Sequence, residues 1–183
     1  RAEKSIPVSP QAQAALGITA AQLTPIDLIS AILRAPVDLL YNGGIGTYFK
    51  GSDEDHADAG DKANDAVRID GAQIRARVVA EGGNLGMTQL ARVEFASRGG
   101  ACNTDFIDNS AGVDTSDHEV NIKILLGLPI ADGEMTEKQR NQLLPAMTDD
   151  VAALVLRDNV FQTQVLSVTN RIAAQLLDAQ ARF

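Results

Sequence analysis

The apolar positions of this chain change period along its length, and the changes divide it. Ile26, Ile29 and Leu33 recur at helical spacing behind Thr24-Pro25-Ile26-Asp27, where Thr24 is an N-cap, Pro25 a first-turn proline and Asp27 a first-turn acid. This predicts a helix to about Arg34, ended by Pro36. Ser9-Pro10 and Gly17 frame a shorter helix over Pro10–Leu16 in the same way. Val37–Tyr41 is a short, largely apolar run between Pro36 and Asn42-Gly43-Gly44, the pattern of a buried strand in a parallel sheet. Asp53, Glu54, Asp55 and Asp58 make Gly51–Gly60 a solvated loop, tightening to a turn or two over Lys62–Val67.

Asp70-Gly71 carries the strongest hairpin signal, because a type I′ turn needs positive φ at both central residues. The hairpin would join a strand near Val67–Ile69 to one near Ile74–Ala80. Met87–Ser97 reads as a helix capped by Thr88, with Leu90, Val93 and Phe95 or Ala96 facing inward, followed after Gly99-Gly100 by a strand near Ala101–Asn103. From Thr115 to Leu128 apolar residues surround most of a helical circumference, which predicts a buried helix. Thr136-Glu137-Lys138-Gln139 fits a capping box, Pro145 interrupts the helix it starts, and Thr148-Asp149-Asp150 starts another. Leu154, Phe161, Val165, Val168, Ile172 and Leu176 then continue at helical spacings, as one long helix or two broken near Asp158-Asn159. The sum is an α/β fold, a parallel sheet with a hairpin, followed by a C-terminal helical segment.

Composition narrows the function. With 16 Lys+Arg against 24 Asp+Glu the net charge is −8, which argues against nucleic acid or an anionic membrane as partner. No apolar run approaches the ~20 residues that cross a bilayer. Cys102, the single cysteine, cannot form an internal disulfide and fits a reducing, cytoplasmic setting. The chain lacks an initial Met and has no predicted strand before about Val37, as a piece of a longer protein would.

Several constellations invite a chemical reading. Asn42-Gly43-Gly44-Ile45-Gly46 follows a strand, yet it fits neither G-x-x-x-x-G-K-[ST] nor G-x-G-x-x-G, and a tight turn is favoured over phosphate binding. His56 with Asp53, Asp55, Asp58 and Asp61, or His118 with Asp117 and Glu119, lacks metal-site spacing. The first reads as a solvated acidic face and the second as a helix histidine paired to an acid. Cys102 is expected to be an inert core thiol, and Ser110 and Ser116 lack a nucleophile-elbow context. Glu81, Asp105, Asp108 and Asp114 are acid/base candidates by position, each equally able to cap a helix or close a turn. Asn84 and Asn109 each follow a predicted strand beside Gly or Ser. Their amides could read an uncharged amide or sugar hydroxyls without burying a charge, or could only brace turns.

At these residues the sequence resembles the glutamate dehydrogenases, above all the very large NAD-specific bacterial type. Glu81-Gly82-Gly83-Asn84 followed by Thr88 is similar to the family's E-G-A-N-x-P-T segment. Asn109-Ser110-Ala111-Gly112-Val113-Asp114-Thr115-Ser116 is similar to its N-A-G-G-V-x-x-S. Pro36–Lys50 and Asn103–Leu126 resemble the large type in particular. Gly83 in place of Ala, Gly86-Met87 near the usual proline, and Asp117-His118 in place of aromatics are departures from the commoner pattern.

The resemblance implies a partial Rossmann-like, doubly wound sheet: residues 1–128 as the later part of a dinucleotide-binding domain and 129–183 as the helical segment. It implies NAD as cofactor, with Asn84 and Asn109 facing the nicotinamide and its ribose, and Asn42, Gly43 and Gly83 at the strand ends beside it. Val113 and Ser116 would meet the side-chain carboxylate of L-glutamate or 2-oxoglutarate, Ser116 donating a hydrogen bond. The family's catalytic lysines and aspartate match nothing here, so an inactive isolated chain is expected, with the remaining domains of the parent and further copies of itself as partners. A non-catalytic binding or assembly module is the alternative.

Overall fold

The computed structural model describes residues 3–182 and has an α/β fold made of two compact units, one ending at Asn109 and the other beginning at Ser110. In chain order the first unit contains β1 (Ile6–Pro7), α1 (Pro10–Leu16), β2 (Gln22–Leu23), α2 (Pro25–Leu33), β3 (Leu39–Asn42) and β4 (Phe49–Lys50). It continues with β5 (Ile69–Asp70), β6 (Val78–Glu81), α3 (Gln89–Ser97) and α4 (Asp105–Asp108). The second unit is helical: α5 (Ser110–Ala131), α6 (Glu137–Ala146), α7 (Thr148–Arg171) and α8 (Ala173–Gln180).

Local capping chemistry sets the helix starts. The Ser9, Thr24, Thr88 and Thr136 hydroxyls each accept the backbone N–H three residues on, filling donors that a helix N-terminus leaves open. Gln139 returns the bond to the Thr136 N–H, completing the capping box. Pro145 and Pro129 are both carried inside their helices near the C-terminal ends. The last long helix runs unbroken through Asp158-Asn159 and ends at Arg171.

β3 and β6 pair in parallel, Leu39 with Val78 through Asn42 with Glu81, and β4 pairs in parallel with β5. The antiparallel pair β1–β2 lies apart from them in the topology. Phe49, Ile69, Ile74, Ala76, Val79, Met87, Ala91 and Phe95 make the core of this unit, with Leu40 and Cys102 packed against it. One face of the β3–β6 pair is exposed: Leu39 and Tyr41 are 55% and 64% accessible, so β3 is not the fully buried strand its sequence suggests.

Four further expectations are corrected. Asp70-Gly71 makes no hairpin. Asp70 is extended (φ −79°, ψ 148°) and caps a turn of 3-10 helix over Gly71–Gln73, its carboxylate accepting the Gln73 backbone N–H and the Gln73 side chain accepting the Asp70 N–H. Gly71 is there for space, since a Cβ would lie 2.8 Å from the Ala91 carbonyl oxygen of α3. In α3 the inward residues are Ala91, Arg92 and Phe95, while Leu90 and Val93 are exposed. The helix is rotated because Arg92 reaches a buried carboxylate, an attraction hydrophobic periodicity does not register. The predicted strand near Ala101–Asn103 is a single bridge from Ala101 to Val78. Finally, the helix expected over Thr115–Leu128 starts earlier and is not buried: α5 begins at Ser110, and Val120, Ile124, Leu125 and Leu128 on it are exposed.

Candidate functional site

The carboxyl ends of β3 and β6 lie side by side, and the chain leaves both strands through glycine-rich loops. The Gly82 N–H donates to the Asn42 carbonyl at 2.8 Å, extending the ladder one bond past the strands. Beyond it the two loops touch. A Cβ on Gly83 would sit 2.8 Å from the Gly44 carbonyl oxygen, and one on Gly86 would sit 2.2 Å from Asn42 Nδ2 and 2.6 Å from Glu81 Oε1. Glycine at these positions is what lets the loops close on each other.

Glu81 is the polar centre of this end of the unit. It is 1% exposed, and its Oε2 accepts from Arg92 Nη2 at 2.7 Å and Nε at 3.2 Å, while Oε1 accepts from the Met87 N–H at 3.1 Å. Burial pushes the proton affinity of this carboxyl up, and the Arg92 bonds and charge pull it back only in part. With every bond directed inward, Glu81 ties β6 to α3 and holds the loop between them. Asp108 accepts from the Glu81 N–H and from Asn103 Nδ2, and Asp105 accepts from the Leu85 N–H at 2.7 Å.

Leu85 is the sole non-glycine residue with positive φ (59°) among the described residues. Asp105 from α4 holds its N–H, and Thr47 Oγ1 donates to its carbonyl at 2.6 Å. Such a conformation persists only where its surroundings overdetermine it. Here it turns residue 84 outward: Asn84 is exposed, and Asn109 Nδ2, from the end of α4, donates to Asn84 Oδ1 at 2.8 Å.

The structure therefore gathers Asn42, Gly43, Gly83, Asn84 and Asn109 at one end of the first unit. The Asn42 amide turns inward, its Nδ2 buried and without a hydrogen-bond partner, so Asn42 and Gly43 present mainly backbone. The paired amides leave Asn84 Nδ2 as a donor group and Asn109 Oδ1 as an acceptor, a combination suited to a ligand carboxamide or hydroxyl. In the second unit, Val113 and Ser116 lie three residues apart near the start of α5, Val113 half-buried and Ser116 exposed. Ser110 is buried and accepts from Asn159 Nδ2 at 3.0 Å.

The other candidates resolve into structural roles. Arg68 is buried among the Thr47 and Asp61 carbonyls, the Asp65 carboxylate at 2.6 Å and His56 Nδ1 at 2.9 Å, so the acidic loop is organised around an arginine. Asp61 accepts from Asn64 Nδ2 and the Thr47 N–H, and these bonds hold its carboxyl below the ordinary aspartate range. Burial pushes the Cys102 thiol up, consistent with an unreactive core cysteine. His118 pairs with neither Asp117 nor Glu119. Its Nε2 lies 3.6 Å from Asp114 and 3.3 Å from Asp158 of α7, a partner 40 residues away that sequence spacing could not supply. No helix among the described residues is long and apolar enough to cross a membrane.

Residues 1–169 match the family described as bacterial NAD-glutamate dehydrogenase, catalytic domain. Three curated proteins, each named NAD-specific glutamate dehydrogenase, are similar to the chain. The one from Pseudomonas aeruginosa is 63% identical over 175 residues, covering 96% of this chain and 11% of the relative. That from Halomonas elongata is 54% identical over 183 residues, 100% of this chain and 11% of the relative. That from Mycobacterium tuberculosis is 54% identical over 187 residues, 99% and 12% respectively. The chain thus spans about one ninth of the length of the first two relatives.

Proposed function

The chain belongs to the bacterial NAD-glutamate dehydrogenase catalytic-domain family, and on that premise we propose that it supplies part of the nicotinamide and glutamate sites of such an enzyme. The parent reaction is oxidative deamination: L-glutamate, NAD and water give 2-oxoglutarate, ammonium and NADH. Residues 1–128 belong to the later part of a Rossmann-like domain, and residues 129–183 to a helical segment that follows it. The compact units divide earlier, at Asn109, because α5 packs with the later helices.

The observation that carries the reading is the Asn84–Asn109 amide pair beyond the carboxyl ends of two parallel strands, where open α/β sheets take their ligands. The nicotinamide, when bound, supplies the hydride acceptor. The chain's own residues orient it: Asn84 donates to and Asn109 accepts from its carboxamide or ribose, while the Gly43 and Gly83 backbones allow close approach. Asn42 braces the strand end from inside. Val113 and Ser116 meet the side-chain carboxylate of glutamate, with the Ser116 hydroxyl donating. These contacts position reactants rather than move protons. Glu81, the best-placed carboxylate, is saturated by Arg92 and Met87 and serves the fold. The isolated chain has no dehydrogenase activity on this reading, and it works in a cytoplasmic homo-oligomer of the parent enzyme.

An NMR titration of the 183-residue chain with NAD tests the site. Perturbations concentrated at the Asn84 and Asn109 side-chain amides support it. Silence at both, together with tight self-association, would instead favour an assembly module, and glutamate-dependent NADH production by the chain alone would overturn the proposed division of labour.

A further inference from the structure

Three potential ligand atoms converge between α5 and α7 within the helical unit: Asp114 and His118, one turn apart on α5, and Asp158 of α7, all within 4.8 Å of one another. One hydrogen bond accounts for only part of this arrangement: His118 Nε2 reaches Asp158 Oδ2, and Asp114 Oδ1 lies beyond hydrogen-bond distance. Charge-assisted N–H···O bonds run to about 2.7–2.9 Å, whereas Nε2 lies 3.3 Å from Asp158 Oδ2 and 3.6 Å from Asp114 Oδ1. A single hydrogen on Nε2 can point at only one of the two carboxylates.

The same separations fit ligands around one ion. Two donors held at ~2.0–2.2 Å from a tetrahedral zinc lie about 3.3–3.6 Å from each other. Asp114 adds an independent sign: its second oxygen, Oδ2, is buried and has no hydrogen-bond partner. A buried carboxylate oxygen without a donor is costly, and a cation bound by the carboxylate removes that cost. Among the described residues one side-chain cation pairs with the cluster, Arg157, whose Nε lies 3.6 Å from Asp158 Oδ1, the oxygen that does not face His118.

We propose that Asp114, His118 and Asp158 form a divalent transition-metal site of the zinc class. One imidazole and two carboxylates fill three positions, and water takes the fourth. The ion cross-links α5 to α7, residues 40 apart in sequence, and so fixes the helix that also carries Val113 and Ser116. The inference does not depend on the nicotinamide assignment.

The test uses the full-length protein that carries this chain, stripped with chelator and dialysed against Zn²⁺, with bound metal measured by mass spectrometry. His118→Gln and Asp158→Asn should each weaken zinc binding on the order of 100-fold and remove one ion per chain, given that even outer-shell changes cost tenfold or more. Asp117→Asn, adjacent to His118 but outside the set, should retain it. Replacing zinc by Co²⁺ should give visible absorption bands of a four-coordinate ion in the wild type that Asp158→Asn lacks, a readout that stands even if His118→Gln fails to fold. Equal zinc content and affinity in the wild type and Asp158→Asn, or no cobalt bands in the wild type, would overturn the site.

Discussion

Replacing Glu81 with glutamine keeps the shape of the side chain and removes its charge, which separates a structural brace from a catalytic acid. The wild-type carboxylate accepts two bonds from Arg92 and one from the Met87 N–H while 1% exposed. Glutamine has one acceptor oxygen and directs an NH₂ group at a donor, so at least one charge-assisted bond is lost, at ~1.5–3 kcal/mol each. Arg92, itself buried, is left with Asp105 at 3.7 Å as its nearest carboxylate. Breaking a buried ion pair from one side costs about 3–5 kcal/mol, and relief of the buried Glu81 charge, on which burial outweighs the pull of Arg92, offsets much of it. A net loss of about 1–2 kcal/mol follows, which lowers a urea midpoint by roughly 0.3–2 M at slopes of ~1–3 kcal/mol/M. The assay is urea unfolding of the 183-residue chain followed by circular dichroism. Removing the arginine as well, in Glu81→Gln/Arg92→Met, should recover a good share of the loss, because the penalty comes from the unpaired partner. An unchanged midpoint in Glu81→Gln would refute the assignment of Glu81 to the fold.

The two perturbed carboxylates should act on stability with opposite signs. Glu81 keeps its proton to higher pH when folded, so it favours the folded state below that raised value and its contribution is lost as pH rises through it. Asp61 is held low, so its contribution is present above the ordinary aspartate range and lost as pH falls below it. A pH series of unfolding midpoints should therefore lose its acid limb in Asp61→Asn and its higher limb in Glu81→Gln, and unchanged slopes in both would contradict the stated causes. Gly71→Ala places a methyl against the backbone of α3, 2.8 Å from the Ala91 carbonyl oxygen, and should destabilise by about 1–3 kcal/mol in the same assay.

What the sequence made legible was chemistry that acts over one helical turn. Ser9-Pro10, Thr24-Pro25, Thr88 and the Thr136 capping box each mark a helix start because cap and first-turn donors are near neighbours in the chain. Misreadings arose where a distant partner decided the outcome. Asp-Gly serves a hairpin and a helical cap equally well, and the approach of α3 to Gly71 selects the cap. Leu90 and Val93 fit an inward face by period, but the Glu81–Arg92 pair turns another face inward. The same limit holds for the sites. The family motifs single out Asn84 and Asn109, whereas their direct bond, from a loop to the end of α4, depends on Asp105 and Thr47 holding Leu85 in its turn. The grouping of His118 with Asp114 and Asp158 joins two helices and needed the structure.

The central proposal is that the amides of Asn84 and Asn109 orient the nicotinamide, and steady-state kinetics of glutamate oxidation by the full-length protein that carries this chain test it most directly. Asn84→Ala and Asn109→Ala should each lower kcat/KM for NAD about ten- to a hundredfold, the worth of one or two hydrogen bonds, while leaving the melting temperature nearly unchanged. Wild-type kcat/KM for NAD in both variants would contradict the claim.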